Sequence, residues 1–161
     1  MRQTRRRIGF GLATVLAIGG LLTMVVAQEK KGDVPPEAKT LYDRLGGVYP
    51  IASVVDDLIE RLLVNDILNA NPAIKKARAI PKAGLKYHLT SLVCQSTGGP
   101  EKYTGRSMKE SHKHLNISEK EWQAMEADFK NTLDKFKVPA KAQAELFKII
   151  RTTKNDIVVA K

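Results

Sequence analysis

Residues 48–66 read VYPIASVVDDLIERLLVND, and their apolar members Ile51, Val54, Val55, Leu58, Leu62 and Leu63 recur at three- and four-residue steps. That period lines one face of an α-helix and neither face of a strand. The same reasoning places Leu85, His88, Leu89, Leu92 and Val93 on one face of a helix over 82–97. The boundaries are written in capping chemistry. Thr40 with Asp43 approximates a capping box, and Gly46–Gly47 stop the short helix it opens. Ser118 with Glu121 opens a helix over 119–136, and Pro139 suits the first turn of a last helix over 140–159. Between these lie a short helix or turn at 70–81 closed by Pro81, a glycine-rich break GGPEKYTG at 98–105, and one or two helical turns in SMKESHKHL at 107–115. No stretch alternates like a strand and no repeat recurs. The expectation is an all-α domain built from two long helical hairpins.

The N-terminus is a separate unit. MRQTRRR is basic, Ile8 to Val26 is an uncharged apolar run, and VVA offers a small-residue cleavage site after Ala27. Residues 1–27 therefore read as a signal peptide, the protein as exported to the periplasm, and Gln28 as the new N-terminus. The alternative is an uncleaved inner-membrane anchor over residues 8–26. Residues 28–39 form a polar, proline-containing linker, and 40–161 the folded domain. Without the four leading arginines, Lys+Arg falls from 27 to 23 against 17 Asp+Glu, a net charge of +6. These charges are spread along the chain with no aromatic-interleaved basic stripe, which excludes a nucleic-acid partner. A single cysteine, Cys94, cannot form an internal disulfide, and its apolar surroundings make it a small buried hydrophobe.

The histidines carry the chemistry. Two of the three, His112 and His114, stand two residues apart, and the third is His88. On a helix the pair would point roughly 200° from one another, and no cysteine or carboxylate cluster gives zinc-ligand spacing. One neutral imidazole in an apolar slot suffices for a haem iron. An isolated histidine in a helical protein is more often an ordinary surface or core side chain.

The surrounding pattern shifts that balance. From Thr40 to Val159 the chain resembles the truncated haemoglobins, most closely their group 1. LYDRLGGVYPIASVVDDLIERLLVNDIL looks like the first two helices with the Gly-Gly between them. GGPEKYTGRSMKESHKHLNI looks like the second Gly-Gly motif and the segment bearing the proximal histidine. The resemblance implies a two-over-two helical sandwich around non-covalent haem b, with His112 as the proximal iron ligand and His114 a bystander. It also implies that the Nδ1–H of His112 needs a nearby acceptor, which sets the imidazole's basicity. Met108, Leu115, Ile117 and Trp122 are then candidate haem contacts, and each could equally serve as core.

On the distal side the sequence departs from the pattern. Ile59 stands where many group 1 members have a tyrosine, and Leu89 where many have a glutamine. Asn71 or Pro72 replaces a haem-packing aromatic, and the segment before the next helix looks a few residues longer. The distal wall is apolar at Ile59, Leu85, Leu89, Leu92 and Val93. His88 falls near where some six-coordinate members place a second iron ligand, so it is the candidate distal ligand or hydrogen-bond donor, or else a residue at the pocket mouth that touches a propionate or water. Thr153 stands where cyanobacterial relatives have a covalently attached histidine. Two functions follow from the resemblance. One is diatomic-gas chemistry with oxygen, nitric oxide or carbon monoxide as ligands: oxygen transport, nitric oxide dioxygenation or a peroxidase-like reaction. The other is a bis-histidine haem protein for electron transfer or redox sensing, and either requires an electron donor. A helical module without haem is the remaining reading.

Overall fold

The computed structural model describes residues 39–159, so the expected signal segment and all but the end of the linker lie outside the described residues. Three capping boxes fix the starts of helices. Thr40 opens α1 (Leu41–Arg44), Ser107 opens α6 (Met108–His112), and Ser118 opens α7 (Glu119–Lys135). In each, the hydroxyl accepts the third residue's amide while that residue's carboxylate accepts the cap's own N–H, satisfying amides that no helix carbonyl can reach. The serine box at 107 was legible as S-x-x-E and is an addition to the two expected. Gly46 and Gly47 adopt φ of 90° and 85°, a left-handed backbone that glycine enters without steric cost, and they turn α1 into α2 (Val48–Val64). Pro50 sits in the first turn of α2, where its missing amide has no partner to lose.

Asn65 ends α2 and caps α3 (Asp66–Asn69), and Asn71 caps α4 (Pro72–Ala77). Then α5 (Lys82–Ser96) begins just after Pro81. The apolar stripe of α2 packs on α5 and α7. Ile51, Val55 and Ile59 close around Cys94, while Leu58 joins Leu41, Phe129, Leu133, Ala142 and Leu146 in a second cluster. Burying a leucine as fully as Leu133 stabilises the fold by about 2 kcal/mol. Cys94 is fully buried, and burial with the neighbouring Glu101 carboxylate pushes its thiol up to about 11. It is an inert core residue, as expected.

A tight turn through Lys137 (φ 52°) joins α7 to α8 (Ala140–Thr152), and the Phe129 and Phe147 rings meet edge-to-face at 5.2 Å between them. Arg44 grips Glu145 with two bonds of 2.9 and 2.5 Å, tying α1 to α8. Asp57 ties α2 to α7. It accepts from Arg61 at 2.7 Å, from the buried Thr132 hydroxyl at 3.0 Å, and from Lys135. Burial alone would raise its carboxyl, but these donors outweigh burial and bring it to about 2. Its folded value lies below the unfolded one. Its stabilisation, on the order of 2 kcal/mol, is therefore present above about pH 4 and lost as pH falls towards 2.

The last helix is shorter than its sequence pattern. It stops at Thr152, and a separate turn, α9 (Lys154–Ile157), follows. The Thr152 and Thr153 hydroxyls each donate at 2.7 Å to a carbonyl three residues back, Ile149 and Ile150. Those bonds share the last carbonyls with the backbone and weaken the ladder where the helix ends. The chain then runs extended: Val158 pairs in parallel with Ile117, and the Val159 amide donates to the Ile117 carbonyl at 2.9 Å. This fastens the C-terminal end of the domain to the segment after His112, and α9 packs on α6. No helix of the described residues is long and apolar enough to cross a membrane.

Candidate functional site

Among the described residues the helices line a large, partly open cavity of about 1340 Å³, beyond the roughly 300–1,000 Å³ of an ordinary small-molecule pocket. Its wall holds every site residue singled out from the sequence. From α2 comes Ile59; from α5, Leu85, His88, Leu89, Leu92 and Val93; from α6, Met108 and His112; Leu115, Ile117 and Trp122 complete the set. Ile117 and Trp122 are buried, whereas Leu85 and His88 are open. On α5, Leu89 and Val93 pack against the cluster around Cys94 and also border the cavity.

His112 is the last residue of α6. Its Nδ1 lies 2.8 Å from the Met108 carbonyl one turn back. A carbonyl only accepts, so Nδ1 carries the proton and donates, and the tautomer leaves a lone pair on Nε2. Burial pushes the imidazole below its usual range, helped by the neighbouring His114 and opposed by the bond to Met108. The side chain is therefore a neutral base with one nitrogen already committed to the protein. That is the arrangement a single-histidine iron ligand requires. Among the described residues no group of three or more His, Cys, Asp or Glu side chains gathers into an ion site.

His114 corrects the helical argument. The helix ends at His112, so the two rings are not successive positions on one helix; His114 is exposed and borders the same cavity. His88 stands edge-on to Tyr87 and Tyr103, with ring centroids 5.4 and 6.1 Å away. Tyr103 is itself fixed, donating its hydroxyl to the Arg106 carbonyl at 2.6 Å and its amide to Gln95 at 2.9 Å. Gly105 must be glycine for this: a Cβ there would come within 2.4 Å of the Tyr103 hydroxyl. Ile59 is buried, lines the cavity and offers no polar atom. Thr153 also lines it, its hydroxyl committed to Ile150.

Two roles were missed. Asn71 caps α4 and also donates its side-chain amide to the Leu115 carbonyl at 2.9 Å, bracing the segment after His112. The Asn-Pro pair signals the cap, but nothing local signals the distant carbonyl. Arg78, the C-terminal cap residue of α4, lines the cavity with its Nε and Nη2 buried and without a hydrogen-bond partner.

A helical bundle around a largely apolar cavity with one oriented histidine has the architecture of a small globin. Solved structures share it. A truncated hemoglobin from Tetrahymena pyriformis in its Fe(III) form superposes with a TM-score of 0.66 at 22% identity, covering 76% of this chain and 100% of that one. The 2/2 hemoglobin of a Synechococcus species, with covalently attached heme, gives 0.66 at 21% identity over 74% and 98%. A group 1 truncated hemoglobin, GlbN, from a Synechocystis species is 34% identical over 114 residues, 66% of this chain and 86% of its own length. The family model for bacterial-like globins matches residues 40–159, and the chain belongs to that family, as a homologue of the group 1 truncated haemoglobins. The fold is the truncated two-on-two globin. As a member of this family the chain is a haem-binding globin that takes gas ligands, with haem b, held non-covalently, as its cofactor.

Proposed function

We propose that this chain holds haem b through His112 and binds diatomic gases at the iron, with oxygen and nitric oxide as its ligands. The observation that carries the reading is the neutral His112 tautomer, locked by Met108 in the wall of the cavity. When bound, haem supplies an iron that takes gas ligands and changes oxidation state. The protein's part is to hold and orient that group. Met108 fixes the imidazole through its carbonyl, and the apolar walls from α2, α5 and α7 exclude water. Thr153 in place of a histidine supports non-covalent attachment, unlike the Synechococcus relative. An electron donor outside the described residues keeps the iron reduced for oxygen transport or for reaction of oxygen with nitric oxide.

A second reading has its own observation. His88 shares the cavity with His112, and Ile59 and Leu89 on the same wall offer no competing polar group. His88 as a second ligand would make the protein a six-coordinate haem protein suited to electron transfer or redox sensing. Ultraviolet-visible spectra of the purified protein, ferric and ferrous, with and without carbon monoxide, test the proposal. A Soret band that moves when carbon monoxide meets the ferrous form is expected. Absence of haem uptake would leave only a helical module.

The domain acts outside the cytoplasm on this reading, because residues 1–27 carry a basic start, an apolar run and a cleavage site. Protein recovered from the periplasm is expected to begin at Gln28. N-terminal sequencing that finds Met1 in a membrane fraction would favour anchorage by residues 8–26.

A further inference from the structure

Arg78 is out of keeping with the cavity it lines. Most of that wall is apolar, yet the Nε and Nη2 of this guanidinium are buried there and meet no acceptor among the described residues. Arg78 is half-buried, and two of its three guanidinium nitrogens are out of water without an acceptor, which is costly for donors of a charged group. The carboxylates that share the wall are engaged elsewhere: Glu110 in the cap with Ser107, and Glu121 in the cap with Ser118. The other cations of the wall are satisfied or open. Arg44 is held by Glu145 and Lys82 by Glu60, while Arg106 and Lys137 are exposed. Arg78 alone among them keeps buried donors waiting for an anion.

From this we infer that Arg78 is the anion anchor of the cavity, where its guanidinium pairs with a propionate carboxylate of haem. The inference rests on the haem reading above. Haem is a flat apolar ring bearing two carboxylates, which matches an apolar cavity holding a buried guanidinium. The planar fork of arginine suits a carboxylate through two parallel bonds, which lysine cannot reproduce. The segment holding Arg78 is braced through Asn71 to the Leu115 carbonyl, so the anchor and the stretch beside His112 are physically joined.

The test is the rate at which the ferric, haem-loaded full chain gives up haem to an excess of haem-free myoglobin. It is run with ordinary haem and with haem dimethyl ester, whose carboxylates are blocked. Arg78→Gln is expected to lose ordinary haem roughly tenfold faster than the unaltered protein, the size of one lost charge-assisted pair. With the dimethyl ester the two proteins should release at equal rates, because the interaction partner is already absent. Arg78→Lys should fall between them with ordinary haem. Equal acceleration with both haems would overturn the inference, since Arg78 would then only support the fold. So would unchanged haem loss accompanied by faster azide dissociation, which would place Arg78 beside the gas ligand instead. Failure of the unaltered chain to take haem would defeat the haem reading itself, an outcome distinct from an inert Arg78.

Discussion

His112→Ala is expected to give a protein of unchanged helicity that no longer retains haem through gel filtration. The bond from Nε2 is the attachment to iron that the proposed function relies on, and alanine removes it together with the Met108 bond that orients it. Loss of a residue that merely supports a metal ligand weakens binding by about 10–100-fold, so loss of the ligand itself should exceed 100-fold. The fold should survive. His112 is half-buried at the end of a five-residue helix and belongs to neither apolar cluster, so its deletion opens no core void. Circular dichroism checks the fold and Soret absorbance per protein checks retention. Full retention with an unaltered spectrum would remove His112 from the proximal role. His114→Ala is the matched control: this exposed ring should leave the spectrum almost untouched, and haem loss there would exchange the two assignments.

Elements fixed by local chemistry could be read directly from the sequence. The α2 stripe, the boxes at Thr40 and Ser118, the Gly-Gly stop and the turn at Pro139 each need only neighbours within a few residues. The candidate side chains all border the cavity because helical spacing keeps Leu85, His88, Leu89 and Leu92 together, and the family pattern supplied His112. Features set by competition or by distance were not legible. The break after Thr152 comes where two hydroxyls share the last carbonyls of the helix with the backbone, in a sequence whose periodicity runs on regardless. The bond from Asn71 to Leu115 spans 44 residues. Arg78 lies in the stretch that looks longer than the family pattern, so no residue-by-residue match could assign it. Its significance comes only from which atoms are buried and unpaired.

The distal histidine offers a test in which ligand, donor and bystander give three different results. His88 borders the cavity between Tyr87 and Tyr103, and Tyr103 is held in place by Arg106 and Gln95. If His88 completes the iron's coordination, the loaded ferric protein at neutral pH should be low-spin and six-coordinate. His88→Leu should then be high-spin or water-ligated. Leucine fits beside Leu89 and Leu92 and keeps the wall apolar, so the change should not cost the fold. The variant should also bind external ligands faster and more tightly, because an internal ligand lowers apparent affinity by the fraction of protein that is open. With the open form at about 1%, removal of His88 should raise apparent carbon monoxide affinity roughly 100-fold. If instead the spectrum stays as it was but oxygen leaves faster, His88 donates a hydrogen bond and does not ligate. That result would favour gas chemistry over electron transfer, since Ile59 and Leu89 have no donor to offer in its place. Unchanged spectra together with unchanged oxygen release would defeat both roles and leave His88 as a ring packed against two tyrosines at the edge of the cavity.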